Sequence, residues 1–237
     1  MVLLITGCSG IAHATRDAAL AEQAEVFLAG LGEDCFQVDL TKAEGADRAR
    51  DACLEEFGRI DALFNVAGGS GRRFGDGPLH ECTDEGWSAT IDLNLKTAFL
   101  MSRAVMRHWM KLGQPGVILN MTSVLAESPE PIRFATHAYA ASKAAISGMT
   151  RAMAAYYAQY RIRVNAIAPG LVATPMSARA QSDSELLEYM DRKQPVTGGI
   201  IDAADVAAAA WFLLSDASRA MTGQIITVDG GWSVTSV

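Results

Sequence analysis

The 237-residue chain has no apolar run long enough to cross a bilayer. The longest uncharged one, Val206–Leu214, has nine residues, where a membrane helix needs about 20. The opening Val2-Leu3-Leu4-Ile5 is too short for a secretory leader and lacks a basic flank. Cysteine is scarce: Cys8, Cys35, Cys53 and Cys82 are scattered and form no CxxC. That excludes a zinc ribbon or a disulfide framework. The four read as reduced thiols of a cytoplasmic protein. The four histidines, His13, His80, His108 and His137, share no HxxxH spacing, so no metal is expected. Basic charge is also short, at 20 Lys and Arg against 27 Asp and Glu, a net charge of -7. This argues against nucleic acid as a partner. There is no repeat, low-complexity tract or Pro/Gly-rich linker to divide the chain. One domain over residues 1–237 is expected, with a cofactor half near 1–120 and a catalytic half near 121–237.

What is present is apolar material, half of all residues, enough for a large core. It falls into short runs rich in Val, Ile and Leu: Val2–Ile5, Cys35–Leu40, Ala62–Val66, Val117–Met121, Val164–Ala168 and Ile225–Val228. None alternates cleanly with polar residues, so both faces should be buried, as in a parallel sheet covered by helices. Helical stretches alternate with them: Ala46–Phe57, Asp84–Leu112 as two helices or one bent one, His137–Tyr160 and Asp202–Ser215. This order predicts an α/β fold, a Rossmann-like doubly wound parallel sheet. Ser70–His80 and Thr174–Gly199 are the least regular stretches. In such a sheet, loops of this kind follow strand ends and bind ligands.

Three strand endings carry turn chemistry. The first strand runs into Thr6-Gly7-Cys8-Ser9-Gly10-Ile11-Ala12, a glycine-rich turn that brings backbone N–H groups towards a pyrophosphate. Asn65-Val66-Ala67-Gly68-Gly69 and Pro169-Gly170-Leu171-Val172-Ala173-Thr174 end two more. Each alone fits an ordinary turn; together they point to a cofactor cleft. Tyr139 and Lys143, four apart on one helix face, pair a phenol with an ammonium that favours the phenolate. Ser123 follows a strand, as a ligand-facing hydroxyl or a helix N-cap. Asn94 sits among leucines in a helix, where its amide needs a partner: backbone or a water. Arg72 and Arg73 suit either a phosphate or a solvated loop, and the loop is the favoured reading.

Taken in order, these pieces resemble the short-chain dehydrogenase/reductase family. Besides those above, Val38-Asp39-Leu40-Thr41, Gly58-Arg-Ile-Asp61 and Thr222-Gly223-Gln224…Val228-Asp229-Gly230-Gly231 match its pattern. The resemblance implies hydride transfer between a nicotinamide cofactor, NAD or NADP, and a secondary alcohol or ketone of small size. Tyr139 is then the acid/base on the substrate oxygen. Lys143 holds the nicotinamide ribose and lowers the phenol's pKa. Ser123 binds the substrate oxygen, and Asn94 holds a proton-relaying water. Gly7, Ser9, Gly10 and Ile11 take the pyrophosphate. Asp39 and Leu40 face the adenine. Asn65, Ala67 and Gly68 line the adenosine, and Pro169, Gly170, Val172 and Thr174 the carboxamide. A homo-oligomer, dimer or tetramer, and no membrane or nucleic-acid partner, are implied as well.

The chain departs from that pattern near its start. The glycine motif is one residue short and has Ala12 as its third member. Only 28 residues lie between Gly10 and Asp39, little room for two helices and a strand. Val26–Ala29 has the composition of a short strand, but Leu31–Asp34 is too short to return the chain to a parallel neighbour at Cys35. One helix over Ala12–Leu31 and one strand over Cys35–Leu40 are therefore expected, one strand and one helix fewer than usual. Either the sheet has lost a strand, or residues have been removed and the adenine pocket is incomplete. In the first case Asp39 moves beside the first strand and favours NAD slightly, by repelling a 2′-phosphate. A non-catalytic relative serving as a binding or scaffold subunit is the rival function. A nucleotide-sugar epimerase or dehydratase is a third, less favoured because the chain ends soon after Asp229-Gly230-Gly231.

Overall fold

The apolar runs become strands buried on both faces. In the computed structural model, which describes residues 1–236, β1 (Val2–Thr6), β2 (Glu25–Gly30), β3 (Phe36–Gln37), β4 (Ala62–Asn65), β5 (Gly116–Met121), β6 (Ile162–Pro169) and β7 (Ile225–Val228) form one sheet in the order β3-β2-β1-β4-β5-β6-β7. Every pairing is parallel. The register aligns Phe27, Leu4, Leu63, Ile118 and Val164 across five strands. These residues belong to the core on one face. Their successors Leu28, Ile5, Phe64 and Leu119 belong to the core on the other. Alternate residues of a strand point to opposite faces, so a continuous apolar run serves two cores at once.

Helices cover both faces. α1 (Ile11–Ala21) and α8 (Ala203–Leu214) pack on one another over the second core. α2 (Ala43–Phe57), α4 (Thr97–Leu112) and α5 (His137–Tyr157) contribute to the first. The long expected helix is a bent one: α3 (Asp84–Ile91) continues through a π-helical turn, Asp92–Lys96, into α4. Thr174–Gly199, expected as irregular, contains α6 (Ala178–Gln181) and α7 (Ser184–Lys193), the latter capped by Asp183.

The N-terminal expectation needs correction. No strand is lost. Gln23 takes a positive φ of 61° and turns the chain out of α1 after 11 residues, which leaves room for β2 beside β1. Cys35–Leu40 does not move next to β1; its strand shrinks to Phe36–Gln37 at the sheet edge. The missing part is a helix between β2 and β3. A two-residue strand pairing only with Ala29 and Gly30 needs the chain to step back one residue, so the short link 31–35 suffices without the usual crossover.

That link also overturns the reading of all four cysteines as thiols. Cys8, in the glycine turn, and Cys35 form a disulfide with Cα atoms 6.0 Å apart. They are 27 residues apart in sequence and become neighbours only because the chain folds back after β2. Cys53 and Cys82 remain free, and burial pushes the Cys53 thiol up to about 12.

Candidate active site

The strand order reverses between β1 and β4, and ligands of open α/β sheets bind at the carboxyl ends beside such a point. A cleft of about 560 Å³ opens there. Its floor begins at the glycine turn. Gly10 ends that turn at φ 53°, and a Cβ there would strike the Thr174 side chain. α1 starts directly after it with no side-chain cap; its Ala12 N–H donates to the Ser9 carbonyl at 3.1 Å, and a helix start of this kind suits an anion. Thr6, unassigned by the sequence reading, accepts from the Val66 and Ala67 N–H groups at 3.0 Å and clamps the ends of β1 and β4 together.

Gly7, Ser9, Gly10, Ile11, Asp39, Leu40, Ala67, Gly68, Ser123, Tyr139, Lys143, Pro169, Gly170, Val172 and Thr174 all line this one cleft. Two expected residues do not. Asn65 is buried and turned away from it, donating to Ser102 and Asn120 at 2.9 Å, and Val66 lines the cleft in its place. The reason is strand alternation: Asn65 points into the helical layer carrying Ser102. Asn94 is fully buried in the π-helical turn. Of the two partners considered, backbone is the one found. Its amide donates to the Gly69 and Thr90 carbonyls and accepts from the Gly69 N–H. It fastens the loop after β4. A Cβ on Gly68 would collide with the Asn94 amide oxygen, which is why glycine stands there.

Tyr139 lies in the first turn of α5. Asp76, a residue sequence reasoning missed, positions it: this buried carboxylate accepts from the Ala138 and Tyr139 N–H groups, each at 3.0 Å. A helix-start acid 62 residues upstream of Ala138 has no local sequence signal. Ser123 Oγ accepts from the Leu125 N–H at 3.2 Å, so the serine is a cap and also faces the cleft. Lys143 Nζ donates to the Met121 carbonyl at 3.0 Å and lies 5.5 Å from the centre of the Tyr139 ring.

The protonation states differ from the expected lowered phenol. Burial pushes Tyr139 upward, and the Ser123 hydroxyl pulls partly back. Burial lowers Lys143 to about 8. Both groups lose hydration in this site, and that outweighs their mutual effect. The site thus holds a neutral phenol beside a hydroxyl, with a weakened ammonium behind it.

Further along, Gln194 is fully buried and brackets Leu171, accepting from its N–H at 2.7 Å and donating to its carbonyl. This braces the Pro169–Thr174 wall. Trp232 and Phe134 pack edge to face with centroids 5.4 Å apart and close the far end. Arg72 lines the cleft, whereas Arg73 does not and stacks on Phe74.

A dinucleotide cradle at the strand-order reversal, with Ser, Tyr and Lys at its mouth, defines an oxidoreductase of the Rossmann-like type. The chain belongs to the short-chain dehydrogenase/reductase family: a family model described as Enoyl-(Acyl carrier protein) reductase matches residues 6–233. It is 38% identical over 206 residues to 3beta-hydroxysteroid dehydrogenase 1 of Eggerthella lenta, covering 87% of this chain and 76% of that one. It is 34% identical over 248 residues to 2-dehydro-3-deoxy-D-gluconate 5-dehydrogenase of Escherichia coli, covering 98% and 94%. Among solved structures, levodione reductase superposes with a TM-score of 0.88 at 29% identity, covering 99% and 98%. The 4-hydroxyisoleucine dehydrogenase complexed with NADH superposes with a TM-score of 0.85 at 28% identity, covering 99% of each chain.

The protein is therefore an NAD(P)-dependent oxidoreductase acting on a secondary alcohol or ketone of small size. The scaffold alternative loses its ground, since the shortened N-terminal region keeps its strand and its glycine turn. No helix among the described residues is long and apolar enough to cross a membrane.

Proposed function

We propose that Tyr139, Ser123, Lys143 and Asn94 carry the catalytic work, each in a distinct part. The observation that supports this is the meeting of Ser123, Tyr139 and Lys143 in the cleft that begins at the glycine turn. A nicotinamide dinucleotide, when bound, supplies or accepts the hydride. The first turn of α1 with Gly7, Ser9, Gly10 and Ile11 suits its pyrophosphate. Ala67 and Gly68 leave room for its adenosine part, and the braced Pro169–Thr174 wall suits its carboxamide.

The Ser123 hydroxyl holds the substrate oxygen and stabilises charge developing on it. The neutral Tyr139 phenol gives that oxygen a proton in ketone reduction and takes it back in alcohol oxidation. Lys143, at about 8, replenishes the proton from behind. Asn94 acts through Gly69, keeping the loop beside Lys143 in place. Changing Tyr139→Phe should lower kcat by about three orders of magnitude, the scale of general acid–base loss. Titration followed by nicotinamide fluorescence should show NADH affinity within about twofold of wild type. Substantial turnover by that variant would remove Tyr139 from this part.

NAD is the favoured form. Hydrogen bonds from Thr41 hold the Asp39 carboxyl below the usual carboxylate range, and it lines the adenosine end. β2 runs out into Gly30-Leu31-Gly32, without a basic side chain for a 2′-phosphate. The chain works as one domain, with most of the cofactor cradle in about residues 1–120 and the catalytic groups, with the Pro169–Thr174 wall, in about 121–237. It acts as a homo-oligomer, because α4 and α5 expose Phe99, Met110 and Tyr156. We place it in the cytoplasm, where nicotinamide dinucleotides are turned over; the Cys8–Cys35 bond removes the earlier argument from unpaired thiols.

A further inference from the structure

Two guanidinium groups line the cleft without an ion-pair partner among the described residues. Arg72 stands in the turn Gly71–Phe74 after β4, and Arg179 on α6. The acids nearby are already committed. Asp76 caps α5 through the Ala138 and Tyr139 N–H groups. Glu130, also buried, accepts from the Ile132, Arg133 and Phe134 N–H groups and pairs with Arg133.

The placement of Arg72 is built. Its Nη2 donates to the Arg133 carbonyl at 2.8 Å, which holds the guanidinium against the segment leading to Phe134, away from the glycine turn. Its remaining N–H groups are free. Burial, and after it the nearby charge of Arg179, lowers the Arg72 pKa, and the Asp76 carboxylate pulls partly back. Two like charges brought together at a cleft mouth repel one another, and the one carboxylate acting on Arg72, Asp76, is already bonded to the start of α5. A ligand oxyanion between them would relieve that cost, and the guanidinium fork matches carboxylate and phosphate oxygens. The same cleft also holds Tyr139 and the apolar side chains of Leu125, Phe134, Met176 and Trp232.

We propose that Arg72 and Arg179 together receive an oxyanion on the substrate, so that the enzyme acts on hydroxy or keto compounds bearing a carboxylate or phosphate across an apolar spacer from the reacting carbon. This rests on the oxidoreductase reading of the same cleft and narrows its substrate class.

The test uses pairs in which the same ketone chain carries an anionic or a neutral terminus. One set is 4-oxopentanoate, 6-oxoheptanoate and 8-oxononanoate, each with its methyl ester; the other is 5-oxohexyl phosphate with 6-hydroxyhexan-2-one. Binding is measured by calorimetry to the protein saturated with oxidised cofactor, where a ketone cannot turn over. At least one anion should bind roughly tenfold more tightly than its neutral partner, the scale of one charge-assisted contact. The set that shows this distinguishes carboxylate from phosphate. An Arg72→Gln, Arg179→Gln double variant should lose the preference while keeping its melting temperature and its affinity for NADH and NADPH. Equal binding of every pair by the wild-type protein overturns the assignment, as does a preference that survives in the double variant. A selective loss of NADPH affinity gives the arginines to the cofactor instead and overturns it too. Turnover is assayed separately. Oxidation of NADH by the neutral ketones with no anion preference sinks the arginine assignment alone. An anion preference in binding with no turnover of any pair sinks the oxidoreductase reading alone.

Discussion

A lysine enclosed as fully as Lys143 works against the fold at neutral pH. Its pKa falls from 10.5 to about 8 through burial, so below pH 8 the folded state holds a proton less readily than the unfolded one. By linkage, the stability cost is complete below the folded value, fades as pH rises from about 8 to 10.5, and is absent above. The shift corresponds to roughly 3 kcal/mol. Replacement by an apolar side chain of similar length should therefore raise stability while ending catalysis. Lys143→Met is expected to gain about 2 kcal/mol in denaturant midpoint experiments at pH 7, less than the full shift because the Met121 carbonyl loses its donor. The gain should shrink towards zero by pH 10. A variant less stable than wild type at pH 7, or a gain that grows with pH, contradicts this account. The same residue shows how far a sequence can be read at this scale. The spacing of Tyr139 and Lys143 identified the pair, but the direction of each pKa depends on enclosure by Met121, Ser123 and the cleft walls, which no local pattern carries.

At the scale of elements, legibility followed length and apolar content. β1, β4, β5 and β7, and helices α2, α5 and α8, lie where uninterrupted apolar runs or helical composition put them. Val26–Ala29 carries the composition of a strand, but the link Leu31–Asp34 is too short for a full parallel return, which favoured a helix; β3 pairs only at Ala29 and Gly30, which removes the obstacle. The turn at Gln23 that makes both fit is a backbone conformation without a residue signature. The cleft residues were legible where they close a strand, as at Gly10, Ser123 and Thr174. Asp76 and Gln194 were not, since each acts across the chain on a backbone far from it. The Cys8–Cys35 bond belongs to this scale as well, joining the glycine turn to the link between β2 and β3. Closing a loop of 27 residues restricts the unfolded chain, a stabilisation of about 3 kcal/mol in the chain-entropy picture. Cys35→Ser should lower the melting temperature by several degrees, and reduction of the wild-type protein by dithiothreitol should lower it equally. The variant should then show no further response to reductant. Unchanged melting after reduction, with two extra thiols titrated, would refute a stabilising bridge.

For the whole molecule, the sheet leaves one question of burial open. Helices α4 and α5 satisfy the inner core with Leu100, Met101, Val105, Ile146 and Ala154, yet their outer surfaces carry large apolar groups. Phe99 is 43% exposed and Tyr156 59% exposed. Tyr156 also joins Tyr157 and Tyr160 in an aromatic cluster at the end of α5. Single exposed apolar residues are ordinary, but several on helices covering the same face of the sheet support the proposed homo-oligomer. Each large side chain withdrawn from water there contributes about 2 kcal/mol before the cost of association. Closed symmetry would double every such contact. Light scattering should give a mass that is an integer multiple of the 25.2 kDa chain. A Phe99→Asp, Tyr156→Asp variant should shift that mass towards one chain, because a carboxylate left unpaired in an interface core opposes assembly. Its circular dichroism should stay that of the wild type, since neither residue belongs to either core of the sheet. A wild-type mass of a single chain would leave these side chains without a partner of their own kind.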